Sequence, residues 1–224
     1  MPKEWWQEGI DEDAIDDAEK QNARRFGPGR FWMEAKTRRE IIFVDDGGVS
    51  FWEHQYYANG HFRNYTPCLL KNKKMDEDQC PLCAAGNHPY FVGHFSVVDL
   101  NEWKDKKGVV HKNEVKLYSA KTDVLRKIQR RKAKKVSLVG IKFEVSRGGK
   151  QDFSTGSDFD IVEENVNIAK LYPEAKPIDY KSTILVPMSV ADMTAIVKAG
   201  GGNRNAGGGG SRSGGGDDED EAQF

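Results

Sequence analysis

The chain has 224 residues, enough for one well-buried domain of roughly 150–200 residues with appendages and too few for two full ones. No run of 18 apolar residues occurs, and the acidic opening MPKEWWQEGIDEDAIDDAEK lacks a secretion signal's apolar stretch, so the expectation is a soluble, intracellular chain. The net charge of −1 hides a division: residues 217–221 carry −5, residues 1–30 carry −3, and the body from 31 to 216 carries +7.

Residues 1–29 read as an amino-terminal arm. Asp11 to Arg25 is predicted helical, with Ile10, Ala14, Ile15, Ala18 and Ala23 as a thin apolar stripe, and Gly27-Pro28-Gly29 ends it. From Phe31 to Val162 the pattern becomes mostly strand-like. The segments are 39–44, 51–57, 61–66, 91–99, 114–119, 136–146 and 152–162, which makes the class mainly β with a few helices.

Asn59-Gly60 supplies the positive φ angles of a tight turn, so Trp52 to Tyr65 is predicted to be a hairpin. Val139, Ile141, Phe143 and Val145 alternate with Leu138, Gly140, Lys142 and Glu144, one set inward and the other wet. Val124, Leu125 and Ile128 fall at helical spacing within Thr122 to Lys132, consistent with a helix inserted into a small barrel. Ser189 and Asp192 form a capping signature ahead of Val190, Met193, Ile196 and Val197, a short helix that closes the core at 199. Residues 200–216 are a glycine-rich linker and 217–224 an acidic tail, both expected to be flexible.

Three cysteines, Cys68, Cys80 and Cys83, make an odd number that suits a metal site in a reducing compartment better than a disulfide framework. A structural zinc requires four nitrogen or sulfur ligands, and His54, His61, His88 and His94 are near enough in sequence to supply the fourth. His54 lies in the hairpin's first strand and Cys68 just beyond its second, so one ion could clamp the hairpin to the Cys80-Pro-Leu-Cys83 knuckle.

Single-stranded nucleic acid is held by cations that follow phosphates and by aromatic rings that stack on bases. Trp52, Tyr56, Tyr57, Phe62, Arg63 and Tyr65 crowd the hairpin, Lys71, Lys73 and Lys74 follow it, and Tyr90 and Phe91 open the next strand. Trp103 beside Lys104 falls in a predicted loop. If Val115 and Leu117 are core, strand parity makes Lys116 and Tyr118 solvent-facing. Eleven basic and two acidic residues lie between Lys121 and Lys150, with Arg126, Arg130 and Arg131 around the helix end as candidate phosphate contacts.

The order His54, Asn59-Gly60, Cys68, Cys80-Pro-Leu-Cys83, then Phe95-Ser-Val-Val-Asp99, Val115-Lys-Leu-Tyr118, Arg126-Lys-Ile128 and Gly140-Ile-Lys-Phe-Glu-Val145 resembles the zinc-containing single-stranded DNA-binding proteins of T-even bacteriophages. The likeness runs over roughly residues 30–165. It implies a five-stranded OB-fold barrel within residues 30–199, carrying an inserted zinc subdomain at about 52–90. One structural Zn2+ would then be held by His54, Cys68, Cys80 and Cys83. It further implies a non-enzymatic protein that binds single-stranded DNA without sequence preference in phage replication, recombination and repair, in the cytoplasm of the infected bacterium. Self-association on DNA belongs to the same expectation, although residues 1–20 are acidic where that family has a basic arm.

The tail, Asp217, Asp218, Glu219, Asp220 and Glu221 with a terminal Phe224, is similar to tails by which replicative single-strand binders recruit polymerase, helicase-primase or recombination proteins. Two other function classes compete. A zinc-dependent nuclease would need an open metal position and a general base, and no HExxH or phosphate-binding loop is visible. A zinc-containing RNA or duplex-DNA regulator would need a reading element, and no helix-turn-helix or paired zinc-finger pattern is present.

Overall fold

The computed structural model describes residues 28–58, 62–72, 79–104, 108–134 and 137–201. The predicted helix of the arm, the linker from residue 202 and the acidic tail therefore lie outside the described residues. Among the described residues the fold is mainly β and its sheets are antiparallel.

β1 (Thr37–Phe43) and β2 (Val49–Ala58) form one bent run along β4 (Tyr90–Asp99). β1 pairs with the far half of β4, at Ile41↔Asp99 and Phe43↔Val97, whereas β2 pairs with its near half, at Val49↔His94 and Glu53↔Tyr90. The bend falls at residues 44–48. There Gly48 has φ +51°, and a Cβ would lie 2.6 Å from the His94 carbonyl oxygen, so this close crossing requires glycine.

β3 (Phe62–Pro67) pairs with β2 as the predicted hairpin. β7 (Glu114–Lys121) lies on the other edge of β4, β8 (Lys142–Arg147) on the other edge of β1, and β9 (Asp158–Glu163) on β8. A two-stranded arm, β5 (Trp103–Lys104) with β6 (Val110–His111), projects between β4 and β7.

The helix between β7 and β8 forms as its spacing predicts, at Thr122–Lys134. It buries Val124 and Ile128 in a core with Phe31, Met33, Ile41, Phe43, Val97, Phe143, Val145 and Phe159. Its Leu125 lies over Gly93, where a Cβ would come within 2.4 Å of the leucine. Ser189 caps the closing helix Val190–Lys198 by accepting from the Asp192 amide at 3.1 Å, as the capping signature predicts.

Three expectations are corrected. Tyr118 is not solvent-facing: it is 0 % exposed, packed against Phe31, Phe43 and Phe159, and Leu117 on the opposite side of the strand is buried too. The parity argument assumed one wet face, and β7 has none at this point. The strand predicted for 136–146 begins at Lys142, with Leu138 buried and Val139 exposed. Gly140, at φ +79°, turns the chain there, and a Cβ would lie 2.8 Å from the Val166 carbonyl oxygen. The strand predicted for 152–162 is limited to Asp158–Glu163, because residues 149–156 form turns closed by Asp152 N–H to Gly149 O and Gly156 N–H to Phe153 O.

After β9 the chain returns across the sheet. Ser96 Oγ accepts from the Ile178 amide at 2.9 Å and lies 2.7 Å from Tyr180 Oη, fastening this strap to the middle of β4. The closing helix then packs Met193, Val190, Ile196 and Val197 against Tyr56, Leu69 and Leu82, giving the hairpin end a small core of its own.

Candidate functional site

The Cys80–Cys83 knuckle is a single helical turn, Pro81–Ala84, with proline at the first helical position, where a missing N–H costs nothing. Ala84 and Ala85 donate to the carbonyls of Cys80 and Pro81, and Gly86, at φ +78°, returns its amide to Cys83 O. This turn aims both sulfurs at the hairpin. His54 Nε2 lies 3.3 Å from Cys80 Sγ and 3.5 Å from Cys83 Sγ, and Cys68 Sγ lies 3.6 Å from Cys83 Sγ.

All four ligand atoms fall within 4.8 Å of one another, so the cluster could hold one metal ion. A tetrahedral ion with Zn–S of about 2.3 Å and Zn–N of about 2.0–2.1 Å sets S···S edges near 3.8 Å and N···S edges near 3.5 Å, close to the spacings found. The donor set therefore fits zinc. Among the described residues the histidine of the cluster is His54: His88 is exposed, and His94 is buried on the other face of the sheet beside Glu53 and Ser119, while His61 lies outside the described residues.

The surroundings prepare this donor set. Asn87 Oδ1 lies 3.0 Å from His54 Nδ1 while its amide nitrogen donates to Gln55 O at 2.8 Å, which keeps Nε2 as the lone-pair nitrogen facing the sulfurs. The Lys71 amide donates to Cys68 Sγ at 3.3 Å. Burial pushes the Cys83 thiol up to about 12, and the Cys68 and Cys80 sulfurs add to the shift. Burial likewise raises Cys68 and lowers His54. Metal binding must then displace thiol protons, which a divalent cation does readily. Replacing Asn87 with alanine is expected to weaken metal affinity about 10–100-fold with the four ligands intact, measured by competition with a chromophoric chelator.

On the opposite face of the hairpin lies a different surface. Register places Glu53 beside Tyr90, Gln55 beside Tyr65 and Val92 beside Lys121, so Tyr57, Gln55, Tyr65, Tyr90 and Lys121 share the face that His54 and Tyr56 do not. Arg30 stacks its guanidinium 3.5 Å above the Tyr65 ring. Lys121 Nζ sits 5.0 Å from the Tyr90 ring and 4.6 Å from Phe153. All four rings, Tyr57, Tyr65, Tyr90 and Phe153, are half-buried. The result is a row of aromatic rings interleaved with cations.

Glu53 anchors the row from beneath. It is buried, accepts from Arg30 at 2.6 and 3.1 Å and from Tyr90 Oη at 3.0 Å, and lies 3.4 Å from His94 Nε2. Burial alone would raise this carboxyl, but the Arg30 charge, the nearby His94 imidazole and the Arg30 hydrogen bonds more than reverse it, holding Glu53 at about 2. A depressed carboxyl contributes stability that is fully present above its ordinary value near 4.5 and lost as pH falls towards 2. Glu53→Gln is therefore expected to cost roughly 3 kcal/mol at neutral pH and to flatten the stability loss between pH 4.5 and 2.5, followed by urea denaturation across that range.

Other residues predicted as contacts are distributed less favourably. Tyr56 is buried against the metal lobe's core and cannot stack on a base. Lys116 is buried and paired with Asp99 at 3.2 Å. Trp103 lies flat on His111 at 4.2 Å, with Lys116 5.0 Å from its ring and its Nε1 donating to Glu114, so it clasps the β5–β6 arm.

Trp52 and Phe91 are half-buried neighbours 5.7 Å apart on the face that carries His54, with Lys71 5.3 Å from Trp52. Phe62 and Arg63 lie on β3, but their side chains, like Lys73 and Lys74, are outside the described residues, as are Asp217 to Glu221 and Phe224. Lys104 and Arg130 are exposed, and Arg126 is exposed 3.8 Å from Asp123. Arg131 donates to Phe159 O, and Lys127 pairs with Asp158 at 2.6 Å. Lys127, Arg130, Arg131 and Lys134 line a cleft of about 580 Å3 against β8 and β9.

Arg30, Glu53, Phe153 and Asn87 were not singled out by sequence reasoning. Strand parity carried part of the signal: once His54 is a ligand, Tyr56 must share its side, and Gln55 and Tyr57 must face away. Comparison of the chain with known protein families, curated proteins and solved structures gives no match.

Proposed function

We propose that this chain binds single-stranded DNA without sequence preference, on an OB-type barrel whose hairpin end is clamped by one structural zinc. The observation that carries the reading is the row of rings Tyr57, Tyr65, Tyr90 and Phe153 with Arg30 and Lys121 set among them. Bases of any identity present a face to a ring, and phosphates take the cations, so such a row holds a strand without reading it. Zinc closed by three thiolates and an imidazole leaves no position for a reacting water, which favours a binding role over hydrolysis.

The strand order supports the OB reading. The bent β1–β2 run serves as the first strand, β4 as the second and β7 as the third, followed by a helix; β8 returns to the first strand and β9 pairs with β8. The metal lobe then occupies the connection between the first and second strands. From the resemblance described above comes the setting: phage replication, recombination and repair in the infected bacterial cytoplasm, with residues 217–224 recruiting replication proteins.

The test is a competition among oligo-dT, oligo-rU and duplex DNA at two salt concentrations. Preference for oligo-dT, weakening steeply with salt, is the expected result. Preference for duplex or RNA, or turnover of any of the three, would overturn the reading.

A further inference from the structure

Cys68 and the Cys80–Cys83 knuckle are each held in place by hydrogen bonds that owe nothing to an ion. The Cys68 amide donates to Trp52 O at 2.8 Å, which continues the β2–β3 pairing one step past its end. Asn72 then fastens the following loop to the same strand. Its Oδ1 accepts from the Trp52 amide at 2.8 Å, and its Nδ2 donates to Trp52 O at 2.9 Å and to Cys68 O at 2.8 Å. Across the cluster the knuckle closes on itself, and the Asn87 amide ties it down by donating to Leu82 O at 2.9 Å. These two braces bring Cys68 Sγ and Cys83 Sγ to 3.6 Å, a contact between residues 15 apart in sequence.

The three sulfurs differ in access. Cys68 is 0 % and Cys80 4 % exposed, and Cys80 is backed by His54 Nε2 at 3.3 Å, whereas Cys83 lies half-buried at the surface of the lobe. A dissolved oxidant therefore meets Cys83 first, and the Cys68 sulfur waits behind it in contact. A disulfide of about 2.05 Å requires the two sulfurs to close by about 1.5 Å, a movement of side-chain torsions that leaves both backbone braces intact.

We propose that Cys83 is a site of oxidation by hydroperoxides and that it pairs with Cys68, exchanging the metal clamp for a covalent one. Cys83 Sγ, as thiolate, attacks one peroxide oxygen; the O–O bond breaks, hydroxide leaves and a sulfenic acid forms. The Cys68 thiolate attacks that sulfur, a second hydroxide leaves and the S–S bond forms. Two thiolates lose one electron each, and one peroxide takes both. His54 and Cys80 remain, two donors where a tetrahedral ion needs four, so the metal departs. The new bond runs from the end of β3 to the knuckle, the same segments that the ion joins, whereas a bond between Cys80 and Cys83 would bridge nothing beyond the knuckle. The hairpin end thus stays attached after metal loss, whatever the ring row binds.

The test treats the full, zinc-loaded chain with limiting hydrogen peroxide in the presence of a chromophoric chelator. One zinc is expected to be released per disulfide formed. Alkylation before reduction is expected to mark Cys80 alone, and trypsin to leave residues 64–71 linked to residues 75–104. The oxidised chain should melt about 5 °C or more above the reduced, chelated chain, because a bond across this loop constrains the unfolded state. Dithiothreitol with added zinc should reverse every change. Cys80→Ser retains both partners and should form the same bond. Alkylation of Cys68 with a bond between Cys80 and Cys83 overturns the pairing, and three intact thiols under excess peroxide overturn the site. Equal melting of the oxidised and chelated chains overturns the covalent clamp. If the unaltered chain takes up no zinc, the metal reading fails alone, and alkylation of the oxidised metal-free chain still decides the pairing.

Discussion

Replacing Cys80 with serine is expected to remove the bound metal, taking zinc content from one ion per chain to near none, and to lower the melting temperature by about 10 °C or more. The size follows from what the ion joins. His54 is on β2, Cys68 follows β3, Cys80 and Cys83 are on the knuckle, and these segments share a small core with the closing helix through Tyr56, Leu82 and Met193. That core is too small to hold the hairpin end alone, and chelation of the unaltered chain should reproduce the loss. The β1–β8–β9 part of the sheet, with its separate core, should retain its amide-exchange protection, so the transition should divide into two steps. Atomic absorption and calorimetry check both points, and a C80S chain that keeps zinc and melts normally would remove the clamp from the account.

The second large effect concerns the ring row. Tyr65→Ala should weaken oligo-dT binding by about 1–3 kcal/mol, the worth of one stacked base. Lys121→Gln should weaken it while reducing the slope of log affinity against log salt by about 0.7, the signature of one lost phosphate contact. Tyr118→Ala makes the contrasting case. Its ring fills the main core between Phe43 and Phe159, so it should lower stability by about 3–5 kcal/mol without any specific change in the salt slope. Titrations at several salt concentrations, paired with urea denaturation, separate the three variants. Equal binding by Tyr65→Ala and the unaltered chain would move the DNA path elsewhere on the surface.

The cluster around the metal was legible because its spacing is a chemical requirement. Two thiolates with two residues between them, a third cysteine and a histidine nearby satisfy a tetrahedral ion in few other ways. What spacing could not decide was which histidine, since His54, His61, His88 and His94 all lie within reach in sequence. Asn87 and the hairpin register decided for His54 by orienting its ring towards the sulfurs. The proposed recognition surface was less legible. Its rings were visible as a crowd, but whether a ring is core or platform depends on the face it takes, and Tyr56 and Tyr57 differ in this by one residue.

Local chemistry, then, was written in the sequence itself: the mainly β character, the hairpin of β2 and β3, the helix at Thr122–Lys134, the serine cap and the three cysteines of the candidate metal cluster. Each depends on residues close in the chain or on ligand valence. Tertiary structure alone decided what depends on cover and long-range pairing. It enclosed Tyr118 and Lys116 in the middle of β7, where both faces are covered, folded Trp103 into a clasp, and brought Arg30 over Tyr65 and Phe153 to Lys121 from distant segments. It also carried a helix more than a hundred residues from Cys68 back to complete the metal lobe. A strand's alternation tells which residues oppose one another, but the covering of each face is settled by segments that the local pattern does not contain.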